Sequence, residues 1–447
     1  MAKLADLRVP EQRPRGTRVV LDARPLQEPT RAPITASYLD GLLTAYAERP
    51  LPGESFLLLL RLMREDPTEA LQERGLAVAG RRKLPPTSRT FRSAGLTIDS
   101  FLLRGASVRG GGPHPPDEPA TDDAAAVAST AAEATAAGAV FHTAGGAVPL
   151  RSRLPVVATL LDLAPWELPE RYADSVAARF GHRLRARSLR DASRVITASR
   201  ATAASAVTLL HLRPEQIEVV PLAAGPAFHP GAAEPGLVAN LRSRFDLPER
   251  YLVFSGRYDA RKDLATLFAA LAALREQAPP RGAARSATAS VAWPPVVVLA
   301  GAGGTDVDDT LAVARAARHA SVAELVRLTP RLETAELAAL EAASIGHIQP
   351  ALSDGTGLAV LEALAIGVPV IASRVGALPE IVGTAGIVVE PKNPARLATA
   401  IRALWEDGAV ARQVTKAAAA RAKGPRRTWA DVAEDTRRVY EKAATEG

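Results

Sequence analysis

The chain has 447 residues, of which 47% are hydrophobic and 23% are charged, a mixture that excludes a wholly disordered or collagen-like protein. Its 55 Lys and Arg residues outnumber its 48 Asp and Glu residues, and the net charge of +7 fits an anionic ligand, a nucleic acid or an anionic membrane equally well. The absence of cysteine excludes disulfides, thiolate zinc sites and cysteine nucleophiles.

The amino-terminal stretch, MAKLADLRVPEQRPRG, is charged throughout and has no apolar core of signal-peptide length. The apolar run at Phe56–Leu60 falls far short of the roughly 18 residues that a membrane helix needs. We therefore expect a cytoplasmic protein.

Short apolar runs alternate along the chain with Ala- and Leu-rich segments of helical spacing. Apolar strands separated by helices are typical of parallel sheets covered on both faces, so the predicted fold class is α/β, doubly wound. The predicted strands are Arg18–Leu21, Pro155–Leu160, Arg194–Thr197, Ile217–Val220, Tyr251–Ser255, Pro295–Ala300, Leu325–Leu328, Ile345–Gln349, Val368–Ala372 and Gly386–Val389. Helical segments include Leu264–Gln277, Glu333–Ala343 and Pro394–Glu406.

Composition divides the chain into two lobes. Residues 1–228 form a first lobe, with a Gly/Pro- and Ala/Thr-rich flexible insertion at 105–139. The segment 229–249, which contains HPGAAEPG, is interpreted as the linker, and 250–424 form the second lobe. Residues 425–447 are predicted to form a terminal helix, and two placements stay open for it: across both lobes, or on the second lobe only.

The most informative motif lies within Ser353–Pro391. The turn DGTG at residues 354–357 follows a predicted strand and precedes a helix, an arrangement that can present backbone N–H groups to an anion. Glu362 lies about one and a half turns into an otherwise apolar helix, where it could bond ligand hydroxyls. The alternative is a solvated glutamate and glycines that only form a turn.

A second motif, SGRYDARKDLATL, occupies Ser255–Leu267 after a predicted strand. Arg257, Arg261 and Lys262 cluster at the edge of the sheet where ligands bind in open α/β folds. Arginine and lysine there could neutralise a diphosphate. The alternative is a solvated basic loop paired with Asp259 or Asp263.

Together, in this order, the two motifs resemble the donor-binding lobe of glycosyltransferase family 4, the group 1 retaining transferases of the GT-B fold. Gly256-Arg257 and Lys262 match the family's basic loop, and Asp354 to Glu362 match its motif of two glutamates separated by seven residues. The resemblance covers roughly 251–444. In the first lobe it is weaker and is carried chiefly by LPVVATLLDLAPWELP at Leu154–Pro169.

The resemblance implies two Rossmann-like lobes facing a cleft and retaining transfer of a sugar, with mannose one candidate, from a nucleotide-diphosphate donor. The implied acceptor is a hydroxyl of a glycan or lipid-linked saccharide, and neither metal nor cofactor is required. Arg257 and Lys262 would stabilise the leaving diphosphate, Asp354 would bind the donor sugar and Glu362 the ribose. The implied binding residues of the two loops are Gly256, Gly355, Thr356, Gly357 and Leu358.

Three departures from the family pattern bear on activity. Asp354 replaces the first glutamate, Leu161 replaces the histidine expected before Asp162, and the loop at residues 31–38 lacks the usual glycines. A non-catalytic nucleotide-sugar-binding relative therefore stays open beside the transferase, and a nucleotide-sugar epimerase is a further alternative.

Several further interpretations remain. His142 lies near the end of a possible strand at Gly138–Phe141 and could face the cleft or be structural. Trp166 and Glu167 could touch an acceptor or simply pack. Dispersed basic residues and only 4% aromatic residues argue against a nucleic-acid partner. Weak peripheral contact with an anionic membrane is compatible with the charge, and the sequence leaves the oligomeric state open.

Overall fold

The computed structural model describes residues 16–85, 95–108, 138–144, 146–173, 175–279, 293–301, 307–406 and 408–446. Its core consists of two parallel sheets, one in each lobe, of seven and six strands. The first contains β1 (Arg18–Asp22), β2 (Ser55–Arg61), β3 (Val78–Leu84), β4 (Ala139–Ala144), β5 (Val156–Leu160), β6 (Arg194–Thr197) and β7 (Ile217–Val219). The second contains β8 (Leu252–Ser255), β9 (Val297–Ala300), β10 (Val326–Leu328), β11 (Gly346–Gln349), β12 (Val370–Ser373) and β13 (Gly386–Val389).

Helices cover these sheets. In the first lobe they are α1 (Pro33–Glu48), α2 (Glu69–Glu73), α3 (Gly95–Val108), α4 (Ala164–Glu167), α5 (Pro169–Tyr172), α6 (Val176–Arg190) and α7 (Arg200–Leu210). The remaining helices are α8 (Pro235–Phe245), α9 (Leu264–Arg275), α10 (Val307–His319), α11 (Thr334–Ala342), α12 (Leu358–Ile366), α13 (Leu378–Val382), α14 (Pro394–Trp405), α15 (Ala409–Lys423) and α16 (Trp429–Glu446). The predicted doubly wound α/β class is confirmed.

Strand order explains where a ligand site can form. The order is β3-β2-β1-β4-β5-β6-β7 in the first sheet and β10-β9-β8-β11-β12-β13 in the second. In the second sheet the chain runs outward from β8 to β9 and β10, then returns to the other side of β8 with β11. The loops after β8 and β11 therefore diverge and leave a crevice at the carboxyl ends of these strands.

Every predicted strand overlaps a strand of the structure, but β2 and β3 were not predicted. The run FLLLL was considered only as a membrane candidate, whereas it forms the buried interior of β2. The β3 sequence VAGRRKL lacks an apolar pattern because β3 is the edge strand and is only partly buried.

The ends of the predicted insertion and much of the predicted linker belong to regular secondary structure. Residues 105–108 continue α3 and Ala139 begins β4, while 109–137 lie outside the described residues. Helix α8 occupies much of the predicted linker, where Leu241 packs with Tyr251 and Val253 in the second lobe.

The carboxy-terminal helix α16 returns to the first lobe. Its Val432, Val439 and Tyr440 join the core that α1 forms with the first sheet. Arg437 of the same helix donates to both carboxylate oxygens of Glu54, at 2.7 and 2.8 Å. Ahead of the helix, Arg426 donates to the carbonyl of Phe228, so the terminal segment spans the connection between the lobes.

Candidate functional site

A buried ion pair joins the two predicted loops of the second lobe. Lys262, in the loop after β8, places Nζ 2.6 Å from Oδ2 of Asp354, in the loop after β11. The two side chains are almost completely buried. Burial by itself would raise the pKa of Asp354, but the charges of Lys262 and Arg261 hold that pKa well below its usual range. Asp354 is therefore a carboxylate that can only accept hydrogen bonds.

The same carboxylate organises the DGTG turn. Its Oδ1 accepts from the backbone N–H of Gly357 at 2.8 Å and of Thr356 at 3.3 Å. The Asp354 carbonyl accepts from Ala377 N–H at 2.9 Å, so the loop before α13 closes against it. Two of the N–H groups predicted to bind an anion are thus occupied by a side chain of the protein itself. The aspartate side chain is short enough to fold back onto its own turn in this way.

Three polar residues that the sequence reasoning did not select extend this cluster. Gln349 Nε2 lies 3.1 Å from Asp354 Oδ2, and Gln349 Oε1 lies 3.2 Å from His347 Nε2. His347 Nδ1 lies 3.0 Å from Glu341 Oε1. The signal in the sequence was the pattern GHIQ, two polar residues spaced by two inside a strand predicted to be apolar.

Glu362 lies on α12 and is intermediate in exposure. Burial among its neighbours, with the charge of Glu341 added to it, raises the pKa of Glu362 to about 8. At neutral pH this side chain is largely protonated, so it can donate a hydrogen bond as well as accept one.

The basic loop after β8 also contacts the first lobe. Arg257 donates from Nη1 to the carbonyl of Arg31 at 2.7 Å. Arg261, which the sequence reasoning placed in the basic cluster but not among the binding residues, bonds Asp162 at 2.6 Å and Asp259 at 3.1 Å. Of the predicted cations, Lys262 alone pairs with Asp354, while Arg257 reaches across the cleft.

The DGTG turn touches the first lobe directly. A Cβ added to Gly355 would lie 2.5 Å from the carbonyl oxygen of Leu161, so this close approach requires glycine. Thr202 Oγ1 donates to the Gly355 carbonyl at 2.8 Å. From α13, Glu380 accepts from the N–H groups of Arg200 and Ala201 at the start of α7. The lobes are closed against each other here.

His142 does not face the cleft. It is completely buried, with Nε2 2.8 Å from Thr159 Oγ1 and Nδ1 2.7 Å from the Tyr440 hydroxyl. Burial lowers its pKa to about 3, so it stays neutral. The structural interpretation of His142 therefore holds.

Glu167 contacts the second lobe, whereas Trp166 packs against the core of the first lobe. Glu167 accepts a hydrogen bond from the hydroxyl of Ser353 in the second lobe. The guanidinium of Arg185 lies 5.1 Å from the centre of the Trp166 ring. Burial lowers the pKa of Arg185 to about 10, against the opposing charge of Asp162.

A cavity of about 250 Å³ opens at the carboxyl ends of β1, β2 and β4 in the first lobe. It adjoins the loop whose Arg31 carbonyl holds Arg257. Charged side chains of both signs line it, and among them Arg24 is already bonded to Asp22 and Asp99. The wall therefore offers many hydrogen-bonding groups and little unpaired charge.

Within the described ranges, no cluster of three or more His, Cys, Asp or Glu side chains could hold a metal ion. No helix in the same part of the chain is both long and apolar enough to span a membrane.

Comparison with known sequences gives a family match for the second lobe. Residues 249–407 match the family described as "Glycosyl transferases group 1". The chain is 31% identical over 265 residues to the D-inositol 3-phosphate glycosyltransferase of Kineococcus radiotolerans, covering 56% of this chain and 58% of that protein. The chain spans about half the length of the curated relatives it matches.

Comparison with solved structures extends to nearly the whole chain. Sucrose-phosphate synthase from Thermosynechococcus elongatus superposes with a TM-score of 0.65 at 19% identity, covering 96% of this chain and 100% of that one. Anabaena Alr3699/HepE in complex with UDP and glucose superposes with a TM-score of 0.61 at 18% identity, covering 94% and 98%. The fold is GT-B, as the sequence resemblance implied.

Proposed function

We propose that this chain, whose residues 249–407 match the family described as "Glycosyl transferases group 1", transfers a sugar from a nucleotide-diphosphate donor to a hydroxyl acceptor with retention of configuration. The observation that carries the proposal is the buried Lys262–Asp354 pair, which lies in the crevice between the loops that follow β8 and β11. A buried lysine and carboxylate at the carboxyl edge of parallel strands form a compact site for a phosphate and a sugar hydroxyl.

In the proposed reaction the bond between the anomeric carbon and the diphosphate oxygen breaks on the face where the acceptor hydroxyl attacks. The acceptor proton passes to the leaving phosphate, and the new bond joins the acceptor oxygen to the anomeric carbon. Lys262, and Arg257 when released from the Arg31 carbonyl, would stabilise the charge that grows on the diphosphate. Asp354 would accept from sugar hydroxyls, and Glu362 would bond the ribose.

The donor is proposed to be a UDP-, GDP- or ADP-sugar, because no described residue of the second lobe is assigned to recognition of the base. The HepE neighbour was solved with UDP and with UDP-glucose, which makes the uridine nucleotide the first to test. No metal is assigned to the reaction, because Lys262 and Arg257 supply positive charge.

The acceptor is proposed to enter through the cavity of the first lobe. Its paired charges favour a polyhydroxylated molecule over a strongly ionic one. Relatives named as D-inositol 3-phosphate glycosyltransferases make inositol phosphate a candidate beside glycans and lipid-linked saccharides. The reaction is proposed to take place in the cytoplasm, where nucleotide sugars would be its substrates.

A second candidate, a nucleotide-sugar-binding protein without turnover, is favoured by one observation. The position of the family's histidine is Leu161, whose backbone carbonyl lies against Gly355 and whose side chain joins the apolar core. No imidazole therefore approaches the DGTG turn from position 161.

The test is a thermal-shift screen with UDP, GDP and ADP, followed by measurement of nucleoside diphosphate release from the matching nucleotide sugars. A ligand at 100 times its Kd should raise stability by about 2.7 kcal/mol. Lys262→Met should abolish both the shift and the release, while Lys416→Met, which changes an exposed lysine on α15, should change neither. Binding without release over a broad panel of acceptors would favour the second candidate, and no binding would overturn both.

A further inference from the structure

The buried strand β11 carries an unexpected polar face. His347 and Gln349 point to the same side of the strand, and both are fully buried although β11 is an interior strand between β8 and β12. Buried polar groups are costly unless they are hydrogen-bonded. These two are bonded to each other, and the line continues to Glu341 at one end and Asp354 at the other.

The chemistry of Asp354 fixes the direction of these hydrogen bonds. Because the carboxylate can only accept, Gln349 must donate to it from Nε2 and must therefore accept at Oε1. His347 must then donate from Nε2, which leaves Nδ1 to share one proton with Glu341. The hydrogen bonds thus all point in one direction, from the Glu341–His347 pair to the carboxylate of Asp354.

Asp354 has two separate sets of partners. Oδ1 is held by the turn N–H groups, whereas Oδ2 is shared between Lys262 and Gln349. If a diphosphate draws Lys262 away, Gln349 is the donor that remains on Oδ2. An amide anchored by His347 therefore keeps the carboxylate from turning when its charged partner leaves.

We propose that Glu341, His347 and Gln349 are positioning residues that hold Asp354 in the orientation needed to receive the donor sugar. The proposal rests on the proposed function, and it assigns to β11 and α11 a role that neither motif in the sequence contains.

The test separates sugar recognition from nucleotide binding. Gln349→Met keeps the volume of the side chain but removes both of its hydrogen bonds. We expect it to weaken binding of UDP-glucose, GDP-mannose or ADP-glucose, whichever the wild-type protein binds, by at least tenfold. Affinity for the corresponding free nucleoside diphosphate should change by less than threefold, because that ligand has no sugar for Asp354 to hold.

Variants of Glu341, at the other end of the hydrogen-bonded series from Asp354, include one that should preserve function. The amide of Glu341→Gln can still donate to or accept from His347, so its sugar affinity should stay within threefold of wild type. Glu341→Leu should resemble Gln349→Met. Thr436→Val, which removes a buried hydroxyl bonded within α16 of the first lobe, controls for a general loss of stability and should leave both affinities unchanged.

A direct readout does not require any ligand to bind. The amide proton of Gly357 is deshielded by the Asp354 carboxylate, so its NMR chemical shift should move in Gln349→Met and Glu341→Leu and not in Thr436→Val. Unchanged Gly357 shifts would overturn the positioning role even if the proposed function fails. Equal weakening of nucleoside diphosphate and nucleotide sugar would also overturn it, since that pattern indicates a merely structural network.

Discussion

The Lys262–Asp354 pair places opposite charges on two side chains that are almost completely buried. Removing one partner of such a pair leaves an uncompensated buried charge, which commonly costs about 3–5 kcal/mol. We therefore expect Lys262→Met to lower the free energy of unfolding by about 3 kcal/mol, as measured by urea denaturation. Adding Asp354→Asn should recover most of that loss, because the remaining groups are then neutral.

The double-mutant cycle can contradict this interpretation. If the losses of the two single variants simply add in the double variant, the pair contributes no coupling energy. Lys262 would then have to be held by groups other than Asp354. Lys416→Met again provides the exposed control, since its unfolding free energy should stay within about 0.5 kcal/mol of wild type.

Glu362 should make the free energy of unfolding depend on pH. Its folded pKa of about 8 lies above the ordinary glutamate value of 4.5, so the folded state holds a proton that the unfolded state releases. This contribution to stability is fully present below pH 4.5 and is lost as the pH rises through about 8. Glu362→Gln should remove this part of the decline, as urea denaturation between pH 5 and 9 would show. An unchanged slope would mean that Glu362 titrates normally.

At the scale of elements, the sequence predicted strands well and polar neighbours poorly. Runs such as Arg194–Thr197 were read correctly because β-branched residues between helices fit a covered parallel sheet. The motif around residues 354–362 was read correctly as a strand, turn and helix because glycines mark both ends of α12. Gln349 and His347 escaped notice since their importance depends on which side chains of α11 and the DGTG turn lie opposite them.

The loop before α13 supports the DGTG turn through a glycine. A Cβ on Gly376, at φ +48°, would lie 2.1 Å from the Asp354 carbonyl, whereas Gly383, at φ +52°, has nothing within 4 Å. Both Gly→Ala changes incur backbone strain, of roughly 1–3 kcal/mol. We expect Gly376→Ala alone to weaken nucleotide-sugar binding, by tenfold or more, and to cost more stability than Gly383→Ala. Equal effects in calorimetric titration and denaturation would show that the contact is unimportant.

At the scale of the whole molecule, the sequence predicted two lobes but not how they meet. The contacts pair residues far apart in the chain, including Asp162 with Arg261 and Thr202 with Gly355. A local sequence motif cannot predict contacts between residues so far apart in the chain. These contacts bring the first-lobe backbone onto the turn proposed to bind the donor. We therefore expect donor entry and closure of the lobes to compete for the same space.

This competition leads to a prediction about opening. Asp162→Asn with Thr202→Val weakens the ion pair to Arg261 and removes the hydrogen bond to the Gly355 carbonyl. Small-angle X-ray scattering should show a larger radius of gyration, since the closed form loses two of its contacts. Because apparent affinity scales with the population of the binding-competent form, nucleoside diphosphate should bind about threefold more tightly or better. Turnover should fall, because an open cleft admits water and misplaces the acceptor.

A matched control removes an ion pair within one lobe. Arg374 and Glu390 form an exposed pair in the second lobe, so Arg374→Gln should change neither the scattering curve nor the affinity. If the double variant keeps the wild-type radius and binds nucleoside diphosphate no better, the contacts between the lobes do not oppose donor entry. If it opens but binds more weakly, the first lobe contributes to the nucleotide site, and the closed form is the one that binds.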